Sequence, residues 1–129
     1  MTPQTAPAPK TVAWFEIPVT DLDRATRFYE TILDIKLRRE PMGPMELAVF
    51  PYIAPAPGGA LAKGEHFRPT EAGSIVYLAA EPNLAAVTSR VEAAGGRVLM
   101  PPVTIPNGKG VFTWIRDSEG NTVGLHALV

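Results

Sequence analysis

The chain of 129 residues contains no cysteine. Disulfides, thiol nucleophiles and cysteine-built zinc or iron–sulfur centres are therefore excluded, and a reducing cytoplasm is compatible with the composition. No apolar run approaches the length of a membrane span. Charge is also scarce: the net value is −1 and no basic stripe is present, so nucleic acid is not an expected partner. Met1 to Lys10 lacks the basic start and apolar block of a secretory signal, and its Pro, Thr, Ala and Gln content reads as a short disordered tail. Phosphate-binding loops are missing too. Gly58-Gly59 has no strand–glycine–helix context, and Asn107-Gly108-Lys109-Gly110 lacks P-loop spacing and its Ser/Thr, so it reads as an exposed turn.

What the chain does have is a stretch from Trp14 to Tyr29 that reads as a strand entering a helix. Phe15, Ile17 and Val19 alternate on one face, and Trp14, Glu16 and Pro18 on the other. Thr20 and Asp21 can cap a helix from Leu22 to Leu33, whose apolar residues recur at helical spacing. Strands are then expected over Ile35–Glu40, Met45–Phe50 and Ala60–Lys63, separated by Pro/Gly turns at 41–44 and 54–59. Gly64 to Ala72 is a polar loop. The pattern restarts with a strand over Gly73–Leu78. A helix follows, opened by Pro82 and Asn83, with Leu84, Val87, Val91 and Ala94 on its apolar face and Gly95-Gly96 as its stop. Arg97–Met100, Val111–Arg116 and Thr122–Leu128 read as strands, the last two joined by a tight Asp117–Asn121 turn.

The order is βαβββ twice over. Leu22, Ala25 and Tyr29 match Leu84, Val87 and Val91 at a constant offset. The opening strand–helix ending in Phe28-Tyr29, the duplication, and the closing run Phe112 to Leu125 with its Asp-Ser-Glu-Gly-Asn turn resemble the vicinal oxygen chelate superfamily. That is the glyoxalase, bleomycin-resistance and extradiol-dioxygenase group. The resemblance implies an α+β fold of two βαβββ modules forming curved-sheet cups. The expected domain covers 11–128, with module one at about 11–64 and module two at about 73–128. A symmetric homodimer is also implied.

In the enzymes of that family a divalent metal sits in the cup and chelates substrate oxygens. The resemblance places its ligand positions at Trp14, Ser74 and Gly124, with a fourth within Gly59–Lys63, where the register is not fixed. None offers a His, Gln or Glu, so no metal and no cofactor are expected. Glu16 shares a face with Trp14, and His126 with Gly124. The two are the candidate catalytic residues, as an acid–base pair facing the cup, or they orient a polar ligand there; a satisfied polar pair holding strands in register fits them as well as ligand orientation does, and better than catalysis. Trp14, Ser74 and Gly124 are the candidate ligand-binding lining. Tyr77, of opposite parity to Ser74, is expected to pack against a helix, and the face of Trp114 is left open. His66 reads as a solvated loop residue.

The functional expectation is a cytoplasmic protein that binds a small molecule in a metal-free cup. One alternative is a lyase, isomerase or dioxygenase using a different metal site or the Glu16/His126 pair. The other is a non-catalytic structural or regulatory module.

Overall fold

The computed structural model describes residues 11–129; the expected tail over 1–10 lies outside the described residues. Strand β1 (Trp14–Pro18) and helix α1 (Leu22–Leu33) form where the alternation and the helical spacing place them. Ile17 and Val19 turn into the core, while Trp14 and Glu16 stay exposed. The Asp21 carboxylate accepts the Arg24 N–H at 2.9 Å and caps α1. Asp34 ends the helix at φ 54°, a left-handed conformation that a short polar side chain tolerates.

The next strand is displaced from its expected place. The Glu30 carboxylate accepts the Leu37 N–H at 2.9 Å, holding residues 35–37 to the helix exit. β2 therefore runs Arg38–Met42 rather than from Ile35. Its turn to β3 (Met45–Val49) is only Gly43-Pro44, with Met42 opposite Met45 and Gly43 at φ 58°. A glycine-first two-residue hairpin has this form. Pro41 falls inside β2, which is tolerable because β2 is an edge strand. β4 (Gly58–Lys63) starts earlier than expected. The bare backbone of Gly58 and Gly59 admits the rings of Tyr52 and Phe15, which any Cβ would strike. The first sheet has the order β1-β4-β3-β2, with β1 parallel to β4 and Glu16 opposite Ala60.

Two expectations fail in the second half. The strand over Gly73–Leu78 shrinks to β5 (Tyr77–Ala79). Thr70, not Ser74, offers its carbonyl to the Thr122 N–H, so 73–75 are left unpaired and Ser74 sits exposed in a loop. The single helix from Leu84 divides into α2 (Leu84–Thr88) and α3 (Val91–Ala94). The Thr88 and Ser89 hydroxyls donate to the carbonyls of Ala85 and Ala86, and Arg90 N–H reaches back only to Val87. Such local bonds tighten the turn and interrupt the α-helical ladder. β6 (Arg97–Val98), β7 (Val103–Thr104), β8 (Val111–Arg116) and β9 (Thr122–Ala127) complete the second sheet, in the order β5-β9-β8-β6 with β7 on β8. The architecture is α+β, two βαβββ-type modules each built on its own sheet.

One apolar core spans both halves. Leu22, Phe28, Tyr29 and Ile32 of α1 pack with Val87 and Val91 against Ile17 and Leu61 of the first sheet and Ile115, Val123 and Leu125 of the second. The Asp117–Asn121 turn clasps the halves together. Glu119 Oε1 accepts the backbone N–H groups of Thr20 and Asp21, and Arg24 donates to Glu119 Oε2 at 2.7 Å. Burial pushes the Glu119 carboxyl up, but the hydrogen bonds from Arg24, Asp21 and Thr20 outweigh it and bring it down to about 2. Asp117 accepts the buried Tyr29 hydroxyl at 2.6 Å, and Asn121 donates to the Pro18 carbonyl at 2.7 Å.

Candidate ligand-binding site

The faces of the two sheets that turn away from the helices differ. On the first, Leu47, Val49, Ala60 and Ala62 form a second buried cluster, and Phe67 from the loop after β4 packs on it. On the second, large aromatic side chains stand exposed: Tyr77 is 46% and Trp114 37% accessible. The β8–β9 register puts Phe112 opposite His126 and Trp114 opposite Gly124, and β5 brings Tyr77 beside Gly124. Strand alternation thus gathers Tyr77, Phe112, Trp114 and His126 on one face.

Gly124 is the pivot of this face. A Cβ there would collide with the Tyr77 ring, so the ring occupies the space a side chain would need. Trp114 Nε1–H donates to the Tyr77 hydroxyl at 2.7 Å, and Tyr77 meets Phe112 edge to face at 5.6 Å. Tyr77 therefore does not pack against a helix, and Trp114 lies on the same open face. His126 Nε2 bonds the Lys109 carbonyl at 2.7 Å, tying β9 to the loop between β7 and β8. A cleft of about 400 Å³ opens beside these residues, lined by Tyr77, Ile105, Phe112 and His126.

The other candidates lie elsewhere. Trp14 donates weakly to Glu16 Oε2 at 3.4 Å and meets Tyr52 edge to face. Glu16 and Ser74 share a narrow cleft of about 60 Å³ with Pro18, Thr70, Asn121 and Thr122. Within one chain Glu16 and His126 thus line different clefts, and each has a separate hydrogen-bond partner. Gly124 joins His126 on the second sheet, whereas Ser74 joins Glu16. Sequence reasoning put Tyr77 on the wrong face, left the face of Trp114 open, and passed over Ile105 and Phe112. The signal for the β8 pair was the Asp117–Asn121 turn: counting outward from it pairs Phe112 with His126.

The donor set does not fit the metal that the fold family implies. Trp14 has no ligating atom, Gly124 has no side chain or room for one, and Ala60, Leu61 and Ala62 are buried without donors. Among the described residues no three His, Cys, Asp or Glu stand close enough together to hold an ion.

The comparisons with known proteins agree with this fold. Maize (Zea mays) glyoxalase I, as its V278E mutant, is 22% identical with a TM-score of 0.70; the match covers 97% of this chain and 48% of that one, so the chain spans about half the length of the maize protein. A glyoxalase-related enzyme from Fulvimarina pelagi is 21% identical, with a TM-score of 0.63 and coverage of 92% and 88%. A glyoxalase/bleomycin resistance protein from Albidiferax ferrireducens T118 is 19% identical, with a TM-score of 0.62 and coverage of 92% and 99%. No curated protein matches the chain. The model of one family matches residues 11–125, nearly the whole described chain, and the chain belongs to it: the glyoxalase/bleomycin resistance protein/dioxygenase superfamily.

Proposed function

We propose that this protein binds a small molecule without a metal, on the open aromatic face of its second sheet. The observation that carries the reading is the Tyr77 ring lying on Gly124. The space that a side-chain ligand would need is taken by an aromatic ring held by Trp114, next to a cleft of about 400 Å³. Such a surface supplies stacking area and a few fixed polar atoms, the usual make-up of a small-molecule site. Trp14 and Glu16, on the first module, do not line this cleft. A Glu16/His126 acid–base pair requires the two residues to meet across subunits, because one chain keeps them in separate clefts.

A symmetric homodimer belongs to the same reading. The exposed rings of Trp14 and Tyr52 on the first module are apolar surface that a second copy would cover, leaving the Tyr77 cleft free for the ligand. A cytoplasmic setting belongs to the same reading, and a chain without cysteine is compatible with it. No helix among the described residues is long and apolar enough to cross a membrane.

The test is metal uptake beside ligand screening. The purified chain is incubated with Ni, Zn, Mn and Fe(II), desalted, and read by mass spectrometry and melting temperature. Metal at background, together with fragment hits lost in a Tyr77→Ala variant, is the expected result. Near-stoichiometric metal with a stabilised fold would return metal-dependent chemistry to first place. A fragment collection with no hit sensitive to Tyr77 would remove the open face as the binding site.

A further inference from the structure

The hydrogen bonds that hold the open face also fix which polar atoms it can offer a ligand. A carbonyl oxygen only accepts, so the bond from His126 to Lys109 requires the proton on Nε2. In the neutral ring Nδ1 is then the lone-pair atom, an acceptor without a partner among the described residues. The Trp114 indole only donates, so the Tyr77 oxygen receives that bond and keeps its own proton to give. Tyr77 and Phe112 meet at 83°, forming an aromatic corner in which a flat ring can stack on one and meet the edge of the other. Ile105 is the fourth wall, and among the described residues no Asp, Glu, Lys or Arg lines the cleft.

We infer that this cleft takes a neutral, planar aromatic ligand carrying a hydrogen-bond donor, which His126 Nδ1 receives, while the Tyr77 hydroxyl meets an acceptor on the same molecule. The inference rests on the binding reading above and names its ligand class. A charged ligand is disfavoured because no opposite charge lines the cleft and its desolvation would go uncompensated. A purely apolar ligand is disfavoured because it leaves Nδ1 and the tyrosine proton unpaired once water is displaced. A cleft of about 400 Å³ accommodates a bicyclic aromatic with room to spare.

The experiment compares three probes on the full chain by titration calorimetry: 2-naphthol, its methyl ether 2-methoxynaphthalene, and naphthalene-2-sulfonate. They share a ring system and differ in the donor and in charge. The expected result is one-to-one binding of 2-naphthol at least about tenfold tighter than the ether, which is the worth of one satisfied buried hydrogen bond, with the sulfonate weakest. His126→Phe keeps a flat ring and removes the lone pair. It is expected to bring the ratio of the 2-naphthol and ether affinities to about one whatever it does to binding overall, whereas a merely structural role for His126 in holding Lys109 would weaken both probes alike and leave that ratio at its wild-type value. Equal affinity of the wild-type chain for 2-naphthol and the ether overturns the ligand class and leaves the binding reading standing. That comparison needs no variant, so it decides even where His126→Phe folds poorly. Failure of all three probes to bind also overturns the inference; the fragment screen tests the broader reading separately.

Discussion

Gly124 shows what one missing side chain does on this sheet. Its bare backbone lets Tyr77 lie flat across β9 and reach Trp114, so the aromatic face depends on the absence of a Cβ. Gly124→Ala forces the ring to move. The expected cost is about 1–3 kcal/mol, read as a lower urea midpoint, together with a change in Trp114 fluorescence as its tyrosine partner shifts. If the cost comes from that collision, Gly124→Ala in a Tyr77→Ala background is expected to be nearly neutral. An unchanged penalty in that background would place the strain in β9 itself. The sequence made Gly124 legible as a position without a ligand, and alternation put it on one face with His126. What could not be read was the ring above it, because Tyr77 comes from a different strand whose length was overestimated. Ser74 was misplaced for the same reason: the Thr122 N–H that a longer strand would have paired is taken by Thr70, and no local pattern around Thr70 announces it.

At the scale of elements, strongly periodic segments and cap signals carried the most information. α1 forms as its spacing and Asp21 indicate, and all the strands expected from alternation next to a clear turn appear. Errors fall where side chains bond locally to backbone. Glu30 captures Leu37 and delays β2, while Thr88 and Ser89 break the second helix in two. Hydrophobic spacing is blind to both, since the apolar face from Leu84 to Ala94 survives the break. The broken helix also relies more on its cap. Asn83 Oδ1 accepts the Ala86 N–H at 2.8 Å, and α2 is only five residues long. Asn83→Ala is expected to lower stability by about 1 kcal/mol in urea denaturation, at the typical worth of such a cap. A cost near zero would mean that tertiary packing of Leu84 and Val87 alone holds this turn.

Across the whole molecule, the two modules are joined through a shared core and through a short acidic turn. The Asp-Ser-Glu-Gly-Asn sequence, read as a hairpin, also clasps the opening of α1 in the other module. Glu119 carries that clasp: its side chain is fully buried, it accepts Thr20, Asp21 and Arg24, and its carboxyl is lowered to about 2 from a usual 4.5. A group whose folded pKa lies below its unfolded value stabilises the fold above the unfolded value and loses that contribution as pH falls. The clasp is therefore expected at full strength above about pH 5 and to fade between about pH 4.5 and pH 2. The full depression corresponds to about 3 kcal/mol, but Arg24 is half-exposed and screened, so about 1–2 kcal/mol is the figure to expect. Glu119→Gln keeps the shape and removes the charge. Urea midpoints of the two proteins should differ at pH 7 and converge as pH approaches 2. Parallel curves across that range would show that the turn holds the modules by shape and neutral hydrogen bonds, with the carboxylate charge contributing nothing.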